Sequence, residues 1–174
     1  MAFAEGLQKA GIVTCGKHFP GHGDTHQDSH LTLPTVKRSK SVLEKVELFP
    51  FRQAIQKKIP MLMTAHVVFP ALDPKNPATL SKKILTDLLR KKWKYNGVII
   101  SDDFEMKAIS EKYSHAEACV LSLEAGVDML LICRGGEQGL ETVEKVYAEV
   151  QKSPFLKSQA FQSHARILRL LHRK

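Results

Sequence analysis

Residues 17 to 30 read Lys-His-Phe-Pro-Gly-His-Gly-Asp-Thr-His-Gln-Asp-Ser-His. So many titratable side chains beside glycine make a working loop rather than a core element. His18, His22, His26 and His30 recur every four residues, which on a helix would line one face. Pro20, Gly21 and Gly23 argue against a helix, because proline removes a donor and glycine costs backbone entropy. The stretch reads as the end of a strand running into a polar loop that reaches about Pro34. Asp28 stands two residues before His30, and in extended backbone such a pair points the same way. A carboxylate partner fixes the imidazole tautomer and raises its basicity, which suits a proton shuttle near neutral pH. The plainer alternative is an Asx-turn at Asp28 with a solvated His30. Lys17 and His18 could grip ligand hydroxyls. They could equally be a lysine reaching out from a strand end and a histidine satisfied by loop carbonyls.

A second constellation is Asp102-Asp103, directly after the apolar run Val98-Ile99-Ile100. A carboxylate at a strand's carboxyl end can act as nucleophile, metal ligand or base. Asp102 lies nearer the strand and is held more rigidly, while Asp103 suits capping or support of the turn that follows. His66 has the same choice as His18, between ligand contact and a satisfied core position. Gly21 and Gly23 supply positive φ and close backbone approach, without the strand-to-helix context of a phosphate loop.

The elements that must position these residues follow from periodicity. Residues 2 to 9 form helical turns closed by Gly11, and Ile12 to Cys15 is a first strand. Ser41 to Lys58 is helical in two pieces, with Pro50 near the start of the second. Met61 to Val67 is a second strand, and the proline-rich stretch 69–78 is a loop. Ser81 caps a helix carrying Ile84, Leu85, Leu88 and Leu89. Val98 to Ile100 is a third strand, Ser114 to Ala125 a helix closed by Gly126, and Val127 to Cys133 a fourth strand. A helix over about 137–151 follows. Pro154 opens a last one with Phe161, Ile167, Leu168 and Leu171 on its apolar side. Each strand is a continuous apolar run, as in parallel sheets covered on both faces. The chain is therefore α/β, and the polar residues collect at the carboxyl ends of its strands. That asymmetry favours a (β/α) barrel, whose chemistry sits on that rim. About four β/α units are legible, so the expectation is a partial (β/α)8 TIM barrel, a single domain over 1–174 corresponding to a second half.

Composition bounds the rest. The chain has 174 residues, 43% hydrophobic and 25% charged, with net charge +8. No apolar run approaches the ~20 residues that cross a bilayer, and no signal peptide is apparent. Cys15, Cys119 and Cys133 are odd in number and widely spaced, which suits a reducing, cytoplasmic setting. The basic residues Lys82, Lys83, Arg90, Lys91, Lys92 and Lys94, with the tail, read as solvated helix faces or as attraction for an anionic ligand. They are not interleaved with aromatics, so no nucleic-acid partner is expected.

Lys-His-Phe-Pro-Gly-His-Gly-Asp-Thr, then Asp-Ser-His and Leu-Pro, resembles the signature loop of the β-N-acetylglucosaminidases of glycoside hydrolase family 3. Met-Thr-Ala-His-Val-Val-Phe-Pro-Ala-Leu-Asp, Pro-Ala-Thr-Leu-Ser and Gly-Val-Ile-Ile-Ser-Asp-Asp-Phe-Glu-Met are similar to that family in the same order. The resemblance implies a retaining β-N-acetylhexosaminidase acting on N-acetylglucosamine-containing cell-wall fragments, with no cofactor and no metal. It implies Asp102 as nucleophile, His30 as general acid/base with Asp28 as its orienting partner, and Lys17 and His18 as holders of sugar hydroxyls. Most retaining glycosidases use two carboxylates. The shorter length implies a truncated chain of doubtful activity that self-associates or pairs with a missing half-barrel. Two other readings stand beside it: a metal-dependent hydrolase using the histidine cluster, and a non-catalytic saccharide-binding remnant.

Overall fold

The computed structural model describes residues 2–25 and 33–172. Helix α1 (Ala2–Lys9) is followed by Gly11 at φ 78°, where the chain turns through the left-handed region. Strand β1 spans Cys15–Phe19, not the Ile12–Cys15 expected from apolarity. The partner strand sets this limit: Cys15 aligns with Met61, the first residue of β2, and Ile12 and Val13 are left exposed. Lys17 and His18 therefore lie inside β1. Its register with β2 slips between Gly16 and Phe19.

Ser39 caps α2 (Lys40–Lys45) by accepting the Val42 N–H, and α3 (Leu48–Gln56) carries Pro50 in its first turn, where no helical donor is lost. Strand β2 (Met61–Thr64) stops short of Val67 because the chain leaves the sheet there. Val68 instead exchanges backbone hydrogen bonds with residues 34–36. The segment read as a loop holds a small antiparallel pair, β3 (Val68–Phe69) with β4 (Asp73–Pro77). Its prolines conceal that pairing, and Asp73 organises it by accepting from Lys75 N, Asn76 Nδ2 and Ser81 Oγ.

A short 3-10 turn (Ala78–Leu80) leads into a helix over Lys83–Lys92. It is wound with i→i+5 hydrogen bonds, and Ser81 Oγ accepts the Ile84 N–H near its start. Then come β5 (Val98–Asp103), α4 (Lys107–Ser110), α5 (His115–Ala125), β6 (Met129–Leu131), α6 (Gly136–Lys152) and α7 (Pro154–Leu171). Ser114 caps α5, and Gly126 closes it at φ 110°. On α7 the residues expected to be buried are not: Phe161 and Leu171 are exposed, and the buried positions are Leu156 and Ser163. Polar anchoring sets this orientation, because Ser163 Oγ and Arg166 Nε both donate to Asp128 Oδ1 at 2.8 Å.

The sheet order is β1-β2-β5-β6, with every pair parallel. One apolar cluster, including Phe19, Leu43, Leu62, Leu85 and Ile99, packs the sheet against the helices from α2 to Lys83–Lys92. A second, around Phe104, Ile109, Cys119 and Leu123, joins α5, α6 and α7. Among the described residues β1 and β6 are the sheet's unpaired edges. Near them stand exposed apolar side chains, Ile12 and Val13 by β1 and Leu140, Val143 and Tyr147 on α6. Among the described residues no helix is long and apolar enough to cross a membrane.

Candidate active site

Parallel strands direct their carboxyl ends to one rim, which gathers side chains far apart in sequence. Asp102 ends near the top of β5, and β1, two strands away, supplies His18. Asp102 Oδ2 lies 3.8 Å from His18 Nε2, with the two side chains only 15% and 27% exposed. That is longer than a hydrogen bond, but close enough for strong attraction once the imidazole is protonated. Asp102 Oδ1 accepts the Asp103 N–H at 3.0 Å. One carboxylate oxygen is thus tied to the backbone and the other is turned toward His18.

Asp103 serves structure. Its Oδ1 accepts the N–H groups of Glu105 (3.1 Å) and Cys133 (3.2 Å), which locks the end of β5 to the chain leaving β6. Glu105 in turn accepts the Arg134 N–H.

His66 is fully buried between these strands. Nε2 lies 3.0 Å from the Asp103 carbonyl oxygen and Nδ1 lies 2.9 Å from Thr79 Oγ1. A carbonyl only accepts, so Nε2 carries the proton, and Nδ1 of the neutral ring accepts from the Thr79 hydroxyl. Burial pushes the His66 pKa down, against the pull of the Asp102 charge and the Asp103 carbonyl. His66 is therefore a core histidine that positions the backbone beside Asp102.

The loop after β1 is clasped at its base. Arg38 Nε donates to Asp24 Oδ2 at 2.6 Å and lies 3.3 Å from Glu47 Oε1. The bond to Asp24 raises the proton affinity of Arg38 further. Gly21, at φ 144°, lies against Glu47, and a Cβ there would meet the Glu47 Cβ at 2.7 Å. His22 Nδ1 pairs with Thr25 Oγ1 at 2.9 Å, and its ring meets the His18 ring edge-on at 5.7 Å. A cavity of about 660 Å³ lies beside β1 and reaches Lys17, His18, His22, Asp24, Arg38 and Glu47. Burial lifts the thiols of Cys15 to about 11 and Cys119 to about 12, so neither is a nucleophile near neutrality. Among the described residues no three His, Cys, Asp or Glu side chains converge as metal ligands. Asp28 and His30 lie outside the described residues.

The profile of the glycosyl hydrolase family 3 N-terminal domain matches residues 1–170. The chain belongs to glycoside hydrolase family 3. Among its family 3 relatives, a β-hexosaminidase of Alkalilimnicola ehrlichii is 42% identical over 132 residues, which is 76% of this chain and 38% of that protein. A β-hexosaminidase of Haemophilus influenzae is 38% identical over 160 residues, covering 91% of this chain and 45% of the relative. The solved family 3 β-N-acetylglucosaminidase from Paenibacillus sp. str. FPU-7 superimposes with a TM-score of 0.91 at 42% identity, over 96% of this chain and 32% of that one. The chain thus spans less than half the length of these relatives, and its parallel sheet with flanking helices is part of the family 3 (β/α) barrel. Two features of this candidate site escape a reading by residue type. One is the Asp24–Arg38–Glu47 clasp; the other is the Thr79–His66–Asp103 relay. Thr79 sits in the Pro-Ala-Thr-Leu-Ser run that carries the family resemblance, so a signal for it was present. Arg38 stands in a basic stretch where nothing marks it out.

Proposed function

We propose that Asp102 is the nucleophile of a retaining β-N-acetylhexosaminidase that removes terminal N-acetylglucosamine from cell-wall saccharides in the cytoplasm. The observation that supports this best is the state of its carboxylate: mostly buried, at a strand's carboxyl end, one oxygen anchored and the other turned toward His18 at 3.8 Å. An anchored carboxylate loses little freedom on reaching a near-attack geometry. The names of the family 3 relatives support the hexosaminidase reading.

In this reading Asp102 Oδ2 attacks the anomeric carbon while the glycosidic bond breaks. The leaving oxygen takes a proton from His30, and a glycosyl ester of Asp102 remains. The now neutral His30 then takes a proton from water as the water oxygen displaces the Asp102 carboxylate, which restores both groups. An imidazole with an ordinary pKa near 6.5 populates both states near neutrality. Asp28 steadies its charged form, and Lys17 and His18 hold sugar hydroxyls. The unpaired edges β1 and β6, with apolar side chains exposed near both, are where four further β/α units would pair to close the barrel.

Release of nitrophenol from p-nitrophenyl N-acetyl-β-glucosaminide tests the proposal. Asp102→Asn is expected to lower turnover by at least about a thousandfold with the fold intact, and proton NMR is expected to show the β-anomer first. An Asp102→Asn protein as fast as the parent, or first appearance of the α-anomer, overturns it.

A further inference from the structure

The opposite, amino-terminal face of the sheet carries a cavity of about 330 Å³, formed where the chain enters β2 and β5 and where α7 packs beneath them. Its charge is one-sided. Lys58, Lys94, Arg166 and Arg169 line it, and no described Asp or Glu does. Ile55 and Leu170 supply apolar wall.

The charge beside the cavity is uncompensated. Asp128 is the ion-pair partner of the lining residue Arg166, and both its oxygens are committed. Oδ2 accepts from Arg90 Nη2 and from the Ile99 N–H, and Oδ1 accepts from Ser163 and from Arg166 Nε. Two guanidinium groups thus share one carboxylate, with the Arg166 side chain only 14% exposed. Burial lowers the Arg90 pKa, and the Arg166 charge pushes in the same direction. Among the described residues the Nη atoms of Arg166 and the ammonium groups of Lys58 and Lys94 have no partner. Arg166 is the half-buried cation of the four, where attraction for an anion is least screened, and Lys58, Lys94 and Arg169 stand exposed around it.

The backbone is a second, independent observation. Lys58 follows α3 and Lys94 follows the helix Lys83–Lys92, and both sit in the left-handed region, at φ 58° and φ 56°. They are the only non-glycine residues of positive φ among the described ones. Helix ends of this kind favour glycine, which carries no Cβ penalty there. Both of these lysines line the one cavity.

We infer that this cavity binds a small phosphate ester, its phosphate oxygens taken by Lys58, Lys94, Arg166 and Arg169 and its carbon portion resting on Ile55 and Leu170. Arginine and lysine are the usual donors to phosphate oxygens. The volume lies at the lower end of small-molecule sites, and the concave shape suits a compact ligand better than a nucleic-acid backbone, which needs an extended basic stripe.

Titration calorimetry with inorganic phosphate and pyrophosphate on the full chain tests this at physiological salt. Pyrophosphate is expected to bind one site with a Kd on the order of 1 mM or tighter. The double variant Lys58→Gly/Lys94→Gly is expected to weaken it at least about tenfold, with a Tm equal to or above the parent's because glycine relieves both left-handed positions. Lys58→Gln/Lys94→Gln, which retains the side-chain bulk, is expected to lose the same affinity and covers any misfolding of the glycine variant. Absence of saturable pyrophosphate binding, or an unchanged Kd in the glutamine variant, overturns the inference; the latter would place the anion elsewhere, such as beside Lys17. Displacement of pyrophosphate by duplex DNA at equal phosphate concentration overturns the small-molecule assignment.

Discussion

Replacing His66 by alanine tests whether a buried neutral imidazole holds the rim on which Asp102 stands. The ring is fully buried and packs against Phe104, with centroids 5.7 Å apart. Its removal leaves a cavity worth about 2–4 kcal/mol. The Asp103 carbonyl loses one of two donors, keeping the Met106 N–H at 3.2 Å, which costs about 0.5–1.5 kcal/mol more. Thr79 loses less, because its hydroxyl proton turns to the Ala65 carbonyl at 3.0 Å once the ring is gone, and Thr64 Oγ1 lies 2.8 Å away. The total, about 2.5–5.5 kcal/mol, is a large part of the about 5–15 kcal/mol by which a domain is stable. A pH signature accompanies it. The folded pKa of His66 is depressed below 6.5, so below that pH the unfolded chain binds more protons than the native one. Stability from this group is complete above pH 6.5 and falls as pH drops toward the folded pKa. Between pH 7.5 and 5.5 the loss from His66 is at most about 1.4 kcal/mol. Urea unfolding of the parent, His66→Ala and His66→Gln at both pH values measures both effects. The glutamine protein is expected to lose less stability than the alanine protein and to show the shallower pH dependence of a chain without this group. A loss under about 1 kcal/mol in His66→Ala, or a parental pH dependence in His66→Gln, refutes the argument.

Two other substitutions probe the framework by the same unfolding measurement. Asp128→Ala strands Arg90 and Arg166 without their shared carboxylate and loosens α7 from β5 and β6; the expected loss is about 3–5 kcal/mol. Gly97→Ala puts a Cβ into the Tyr95 hydroxyl and 2.6 Å from the Pro60 carbonyl, which should cost about 1–3 kcal/mol through overpacking.

The elements that sequence periodicity resolves are those whose ends are set by local chemistry. Ser114 and Gly126 bracket α5 as their side-chain hydroxyl and missing Cβ require, and Pro50 takes the first turn of α3. Strand limits were less legible, because a strand ends where its neighbour does. Ile12 and Val13 look like β1 until the register with Met61 excludes them. The pairing of β3 with β4 lay hidden under prolines, and the apolar stripe of α7 misled because Asp128, 35 residues before Ser163, decides which side turns inward.

The residue types alone determined the α/β class, the rim to which the polar side chains belong, and the candidacy of Asp102, because apolar runs, capping and turn chemistry act over a few residues. Tertiary structure decided the division of labour between adjacent carboxylates, with Asp102 turned to His18 and Asp103 locked to Cys133. It also turned His66 from a candidate ligand contact into a core support, and brought Asp24, Arg38 and Glu47 into one clasp. Burial and hydrogen-bond partners from distant strands set those roles, and neither exists until the sheet has assembled.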